Sequence, residues 1–234
     1  MIKNLLQNYI KDYKITLTEN QYEQFQKYFE LLAEWNEKMN LTAITDESGV
    51  ALKHFADSLS LLNFVDIPQN SSLADVGTGA GFPGVVLKIA RPDIKLTLID
   101  SLNKRLVFLG EVCAQLGIEA ELIHSRAEDG ARDEKLRESF DFAVSRAVAR
   151  MNVLSEYCLP YVKVGGAFCA MKGAQANEEF KESLNAINTL GGKLENKYFF
   201  ELPENGGERA IAVVRKVKNT PQKYEINLFV MSKE

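Results

Sequence analysis

Between Leu73 and Gly84 the chain reads Leu-Ala-Asp-Val-Gly-Thr-Gly-Ala-Gly-Phe-Pro-Gly: a short apolar run passes straight into glycines, then into a proline that opens a helical pattern. Glycine lacks a Cβ, so such a loop can turn sharply and lay its backbone against a ligand. Pro83 suits the first helical turn, where its missing N–H leaves no bond unmade. Gly79, Gly81 and Gly84 happen to spell GxGxxG, the dinucleotide pattern. Asp100 closes the next apolar run, where a carboxylate can accept both hydroxyls of an adenosine ribose. These features fit NAD and S-adenosylmethionine equally. Asp75 favours the second: a carboxylate two residues before Gly77 can meet the positive end of a bound methionine, directly or through water, and has no use against a pyrophosphate; the alternative is an ordinary polar residue at a strand end. Asp75, Gly77, Gly79, Gly81, Phe82 and Asp100 are therefore the expected cofactor-loop residues.

The later strand ends carry the rest of the chemistry. Ala127 and Glu128 follow the third apolar run and sit where an adenine would lie. Arg126, Arg146 and Lys172 close the third, fourth and fifth runs, and Lys104 follows Asp100. Together they predict a basic rim on an acidic chain, suited to a phosphate-bearing substrate; singly, each could be a solvated surface charge. His54, beside Phe55 in a helical segment, and Arg209, after Gly206-Gly207-Glu208, complete the candidates; read alone, the first is as well a structural or solvated helical histidine and the second an exposed hairpin arginine. With two histidines and three cysteines (Cys113, Cys158 and Cys169), none in a CxxC pair, the chain offers no metal site. The cysteines read as buried reduced thiols.

Elements that could position these groups are legible in the pattern. Thr18 with Gln21 forms a capping box ahead of Tyr22, Phe25, Phe29, Leu32 and Trp35, an amphipathic helix. Asp46 caps a second helix with Val50, Phe55, Leu59 and Leu62 on its apolar face. Residues 1–70 are thus read as a helical extension, and 71–234 as the cofactor-binding domain. From residue 73 short strands (73–76, 95–99, 121–124, 142–145, 167–171) alternate with helices (83–90, 103–116, 150–162, 177–190). That rhythm implies a mostly parallel sheet with helices on both faces. Gly117 suits a left-handed helix end. After Gly191-Gly192 two strands, 194–201 and 209–216, form a hairpin without a long helix between them. A parallel sheet closed by such a hairpin is expected of a Rossmann-like methyltransferase, not of a two-halved dehydrogenase.

The chain has 234 residues, a net charge of −4 and 46% hydrophobic residues. Its size supports a core without disulfides. The acidic balance leaves any nucleic-acid contact to local basic patches. No signal core or membrane-length apolar run is present, which predicts a cytoplasmic protein without membrane contact. The absence of a long exposed apolar stripe predicts a monomer.

The motifs together resemble the RsmG (GidB) family of bacterial small-subunit ribosomal RNA methyltransferases. The resemblance runs from about Trp35 to Arg215. It is carried by Asn40-Leu41-Thr42, His54 with Asp57-Ser58, the loop Asp75–Gly84, Asp100-Ser101-Leu102-Asn103-Lys104-Arg105, Ser145-Arg146-Ala147, Lys172-Gly173 and Gly207-Glu208-Arg209. No departure occurs within these motifs. The resemblance implies S-adenosylmethionine as cofactor and S-adenosylhomocysteine as product. It implies N7 of a guanine in 16S ribosomal RNA, within the small ribosomal subunit, as target. Gly77, Phe82, Ala127 and Glu128 match cofactor positions and Arg146 the cofactor or active site. His54, Lys104, Lys172 and Arg209 match positions facing RNA or the target base. A guanine N7 lone pair needs no general base, and a single contact to O6 is expected from Arg146 or Lys172. The rival readings are a small-molecule or protein methyltransferase, an NAD-dependent oxidoreductase, and a non-enzymatic RNA-binding factor. No NPPY-type element for amino-group methylation is present.

Overall fold

The computed structural model describes residues 1–146, 148–174 and 176–222; Ala147 of the Ser145-Arg146-Ala147 run and the tail from residue 223 lie outside the described residues. One seven-stranded sheet runs in the order β3-β2-β1-β4-β5-β7-β6. The strands are β1 Ser72–Val76, β2 Lys95–Asp100, β3 Ala120–His124, β4 Phe140–Arg146, β5 Val162–Lys172, β6 Gly192–Glu201 and β7 Glu208–Lys216. Strands β1 to β5 are parallel, and β7 pairs antiparallel with both β5 and β6. Strand order reverses between β1 and β4, the place where such sheets leave a crevice at their carboxyl ends.

Strand alternation sorts the side chains onto two cores. Leu73, Leu98 and Val144 face one side with Cys169 and Val213. Ala74, Val76 and Ala143 face the other with Phe168 and Val214. On the first side pack α6 (Gly84–Ala90), α7 (Asn103–Leu116) and the N-terminal helices α1 (Ile2–Tyr9) and α2 (Glu19–Met39), within one continuous cluster. On the second pack α9 (Met151–Cys158), α10 (Ala176–Glu182) and α11 (Leu184–Thr189). The three cysteines are free and buried. Among the described residues no helix is long and apolar enough to cross a membrane.

Several elements differ from the sequence pattern. Helix α1 was not anticipated; it buries Ile2, Leu6 and Tyr9. The Thr18–Gln21 capping box forms, and α2 buries Tyr22, Phe25 and Leu32 together with Tyr28 and Leu31, while Phe29 and Trp35 pack partly buried against the same core. The predicted second helix is a broken run: α3 (Glu47–Val50), a π-helical turn at Ala51–Ala56, α4 (Asp57–Leu59) and α5 (Leu61–Phe64). Hydroxyls compete there with the helical ladder, Ser58 donating to the His54 carbonyl at 2.6 Å and Ser60 to the Asp57 carbonyl at 2.6 Å. Helix α9 ends at Cys158, so β5 begins at Val162 and not at residue 167. The predicted helix 177–190 divides at Ser183. Gly117 ends α7 in the left-handed conformation, as its position suggested.

Candidate active site

A cavity of about 590 Å³ opens over the carboxyl ends of β1, β2 and β4, a volume suited to a small-molecule ligand. Its floor is the glycine loop. The N–H groups of Gly77 and Thr78 are tied to the Ile99 carbonyl at 2.9 and 3.1 Å. Gly79, at φ +60°, donates its N–H to Asp100 Oδ2 at 2.9 Å, a backbone that favours glycine. Asp100 is held from two more sides, by the Leu102 N–H on Oδ1 at 2.9 Å and by Arg105 Nη1 on Oδ2 at 3.4 Å. A carboxylate offers about four acceptor positions; these three bonds orient Asp100 and leave about one position, on Oδ1, for a hydroxyl. Ala127 and Glu128, on the β3 side, and His54 and Arg146, on the β4 side, complete the walls with Phe82.

Two expected loop residues stand behind the wall. Alternation along β1 turns Asp75 onto the face of Leu73, beneath α6. There its Oδ2 accepts from the Thr78 hydroxyl at 2.7 Å and from the Gly84 N–H at 2.8 Å, the first residue of α6. Its Oδ1 is buried without a partner. Burial pushes this carboxyl up to about 6 against the pull of those two bonds and of Arg146. Gly81 does not line the cavity either. A side chain there would collide with the Tyr28 hydroxyl, Leu109 and Val85, so its smallness serves packing. Tyr28, fully buried in α2, donates to the Ala80 carbonyl and stacks on Phe82 with ring centroids 5.5 Å apart. The N-terminal helices therefore prop the loop from below.

A second cavity of about 330 Å³ lies alongside, and His54 and Arg146 line both. Asp57 organises their shared wall. Its Oδ2 accepts from Arg146 Nη1 at 3.0 Å and its Oδ1 from Arg209 Nε at 3.1 Å. Arg146 also donates to the Lys53 carbonyl at 2.9 Å and meets His54 Nδ1 at 3.2 Å. The His54 ring stacks on Phe82 at 4.5 Å, with the Arg146 guanidinium 5.1 Å from the same ring. Burial and the neighbouring Arg146 hold the His54 pKa down to about 4, so it is neutral at physiological pH. Lys172 also lines the second cavity. Its Nζ is held by Glu179 at 2.7 Å and by the Ala149 carbonyl at 2.7 Å.

The fold thus gathers His54, Arg146, Lys172 and Arg209 around the second cavity. It leaves Lys104 exposed on the first turn of α7, lining neither cavity. Arg105, one residue on, takes the inward position. Asp57 and Thr42 were quoted only within motifs, without roles. The three-residue spacing of His54 and Asp57 was the available signal, since helical neighbours at that spacing share a face.

A doubly wound sheet with an antiparallel seventh strand, an acidic residue ahead of its glycine loop and a ligand-sized crevice at the switch point defines a Rossmann-like methyltransferase. Solved structures share this fold. They include an S-adenosylmethionine-dependent methyltransferase from Aquifex aeolicus (TM-score 0.55, 17% identity, 75% of this chain and 96% of that one). Another is an S-adenosylmethionine-dependent O-methyltransferase from Thermotoga maritima (TM-score 0.53, 15% identity, 81% of this chain and 73% of that one). The family model for GidB, rRNA small subunit methyltransferase G, matches residues 21–206. Proteins named ribosomal RNA small subunit methyltransferase G are 53% identical in Geobacillus sp. (90% of this chain, 89% of the relative) and 53% identical in Leuconostoc citreum (92% and 91%). The chain belongs to the rRNA small subunit methyltransferase G family and is a methyltransferase.

Proposed function

We propose that this methyltransferase takes its methyl group from S-adenosylmethionine in the larger cavity and transfers it to N7 of a guanine of 16S ribosomal RNA held in the smaller one. The observation that carries this reading is the shared wall: the two cavities meet at His54 and Arg146.

The residues fit the cofactor. Bound there, S-adenosylmethionine supplies an electrophilic methyl on a sulfonium. Asp100 has an acceptor position left on Oδ1 for a ribose hydroxyl, and Ala127 and Glu128 line the β3 end suited to adenine. Gly77, Gly79 and Phe82 form the floor. Asp75, behind the loop, acts through the backbone: its Oδ2 ties Thr78 of the loop to the Gly84 N–H at the start of α6.

The chain's own task is then positioning. Guanine N7 carries a free lone pair, so no proton must be removed before transfer, and a neutral His54 agrees with a site that needs no base. Arg146 has five N–H groups. Asp57, the Lys53 carbonyl and His54 take three of them, which leaves two, on Nη2 and Nε; one contact from these to guanine O6 is assigned, since a bidentate grip would cover N7. Lys172 reaches the same cavity only by sharing its ammonium with Glu179. Lys104 and Arg209 are assigned to the RNA backbone and to the Asp57 clamp, respectively.

The test is transfer of labelled methyl from S-adenosylmethionine to small ribosomal subunits from cells lacking this gene, with the product digested to nucleosides. Label in 7-methylguanosine is expected. Label in another nucleoside would sink the N7 assignment, and cofactor binding without label would point to a different substrate. Arg146→Ala and Lys172→Ala should each lower turnover with the fold retained.

A further inference from the structure

The Asn40-Leu41-Thr42 run has no role in the mechanism above, yet Leu41 and Thr42 both line the larger cavity. The hydrogen bonds around Thr42 assign its proton. Arg146 Nη2 lies 3.2 Å from His54 Nδ1, and a guanidinium can only donate. Nδ1 is therefore the lone-pair nitrogen of a neutral ring. The Lys53 carbonyl, 3.1 Å from that nitrogen, also accepts from Arg146 Nη1; its second lone pair has room for a ring proton, but a proton on Nδ1 would face the Nη2 hydrogens, so the arginine decides the tautomer. The ring proton then sits on Nε2, which lies 2.8 Å from Thr42 Oγ1 and donates to it. The Ile44 N–H donates to the same oxygen at 3.0 Å. A hydroxyl has two acceptor positions and one donor. Both acceptor positions of Thr42 are filled, and its O–H has no acceptor among the described residues.

Acceptor chemistry follows from location. The cavity runs from the β3 side, where Ala127 and Glu128 follow their strand, to the β4 side at Arg146. If the adenosine lies at the first end, the amino-acid end lies at the second, beside a guanidinium that attracts a carboxylate. Resting on the cofactor reading proposed above, we infer that Thr42 is a further ligand-binding residue: its hydroxyl donates to the carboxylate of the bound methyl donor and of its product. The chain Asp57–Arg146–His54 sets the direction of that donation. Asp57 fixes the arginine, the arginine fixes the tautomer, and the tautomer turns the threonine proton outward.

The experiment is calorimetric titration of the wild type, Thr42→Val and Thr42→Ser with S-adenosylhomocysteine and with 5′-methylthioadenosine, which has the same adenosine but no amino-acid end. Thr42→Val should weaken S-adenosylhomocysteine binding about tenfold, as loss of a hydrogen bond to a charged group does. Thr42→Ser should restore it, and all three proteins should bind 5′-methylthioadenosine alike. The last comparison also controls for folding. Equal S-adenosylhomocysteine affinity in Thr42→Val and wild type would overturn the inference, as would an equal loss for both ligands. A wild type that binds no S-adenosylhomocysteine would instead sink the reading of the cavity itself. Nitrogen-15 shifts of His54 provide a second check. An Nε2–H tautomer is expected, and an Nδ1–H tautomer would overturn the relay.

Discussion

Asp57 holds Arg146 at 3.0 Å across 89 residues of sequence. With its other oxygen it holds Arg209, so one buried carboxylate fixes two cations on the wall between the cavities. Removing one partner of a buried pair leaves the others uncompensated. Asp57→Ala should destabilise the protein by about 2–3 kcal/mol, less than a fully buried pair because both arginines keep some solvent contact. It should also lower methyl transfer by at least about tenfold as Arg146 loses its direction. Asp57→Asn, which keeps an acceptor, should lose less of both. Denaturant unfolding and single-turnover rates measure the two effects. An Asp57→Ala protein as stable and as active as the wild type would remove the clamp.

His54 gives a pH prediction with a definite sign. Its folded pKa, about 4, lies below the ordinary value of 6.5. Between those values the unfolded chain binds the proton more readily, so stability falls as pH drops from 6.5 towards 4. The gap corresponds to a loss of about 3 kcal/mol once fully developed. His54→Gln lacks this proton and should lose less stability than the wild type over the same window, although carboxylates titrate in both proteins. Parallel stability curves for the two would show that the histidine is solvated.

Tyr28 links the helical extension to the cofactor loop. Tyr28→Phe keeps the ring stacked on Phe82 and removes only the bond to the Ala80 carbonyl. The expected loss is about 1 kcal/mol of stability, the ordinary net worth of a hydrogen bond. S-adenosylhomocysteine affinity should fall with it, because the loop loses its prop. Unchanged affinity in a destabilised variant would confine Tyr28 to packing.

Lys104 separates RNA binding from cofactor binding. It is exposed and lines neither cavity. Lys104→Ala should leave S-adenosylhomocysteine affinity unchanged, weaken RNA binding and make the salt dependence shallower by about one phosphate contact. An unchanged salt slope in the variant would place the RNA elsewhere.

The residues differ in how far their neighbours in sequence could describe them. The glycine loop, Asp100, the Thr18 cap and the C-terminal hairpin depend on backbone geometry over a few residues, and so were legible. Asp75 was recognised as a carboxylate ahead of the loop. Its side, behind the loop rather than on it, depends on which face of β1 carries α6. Gly81 looked like a ligand contact, but its neighbour is Tyr28, 53 positions earlier in the chain. Lys104 and Arg105 differ only in helical phase, which a boundary uncertain by one residue exchanges.

The sequence by itself determined the class of fold, the family and the course of the glycine loop, because strand alternation, glycine turns and caps are short-range consequences of residue type. Only the tertiary structure decided that Asp57, Arg146 and Arg209 form one clamp, that His54 leans on Phe82, and that the two cavities share a wall. Those relations join segments tens to more than a hundred residues apart. Their distances follow from how the helices and sheet pack, which no local pattern encodes.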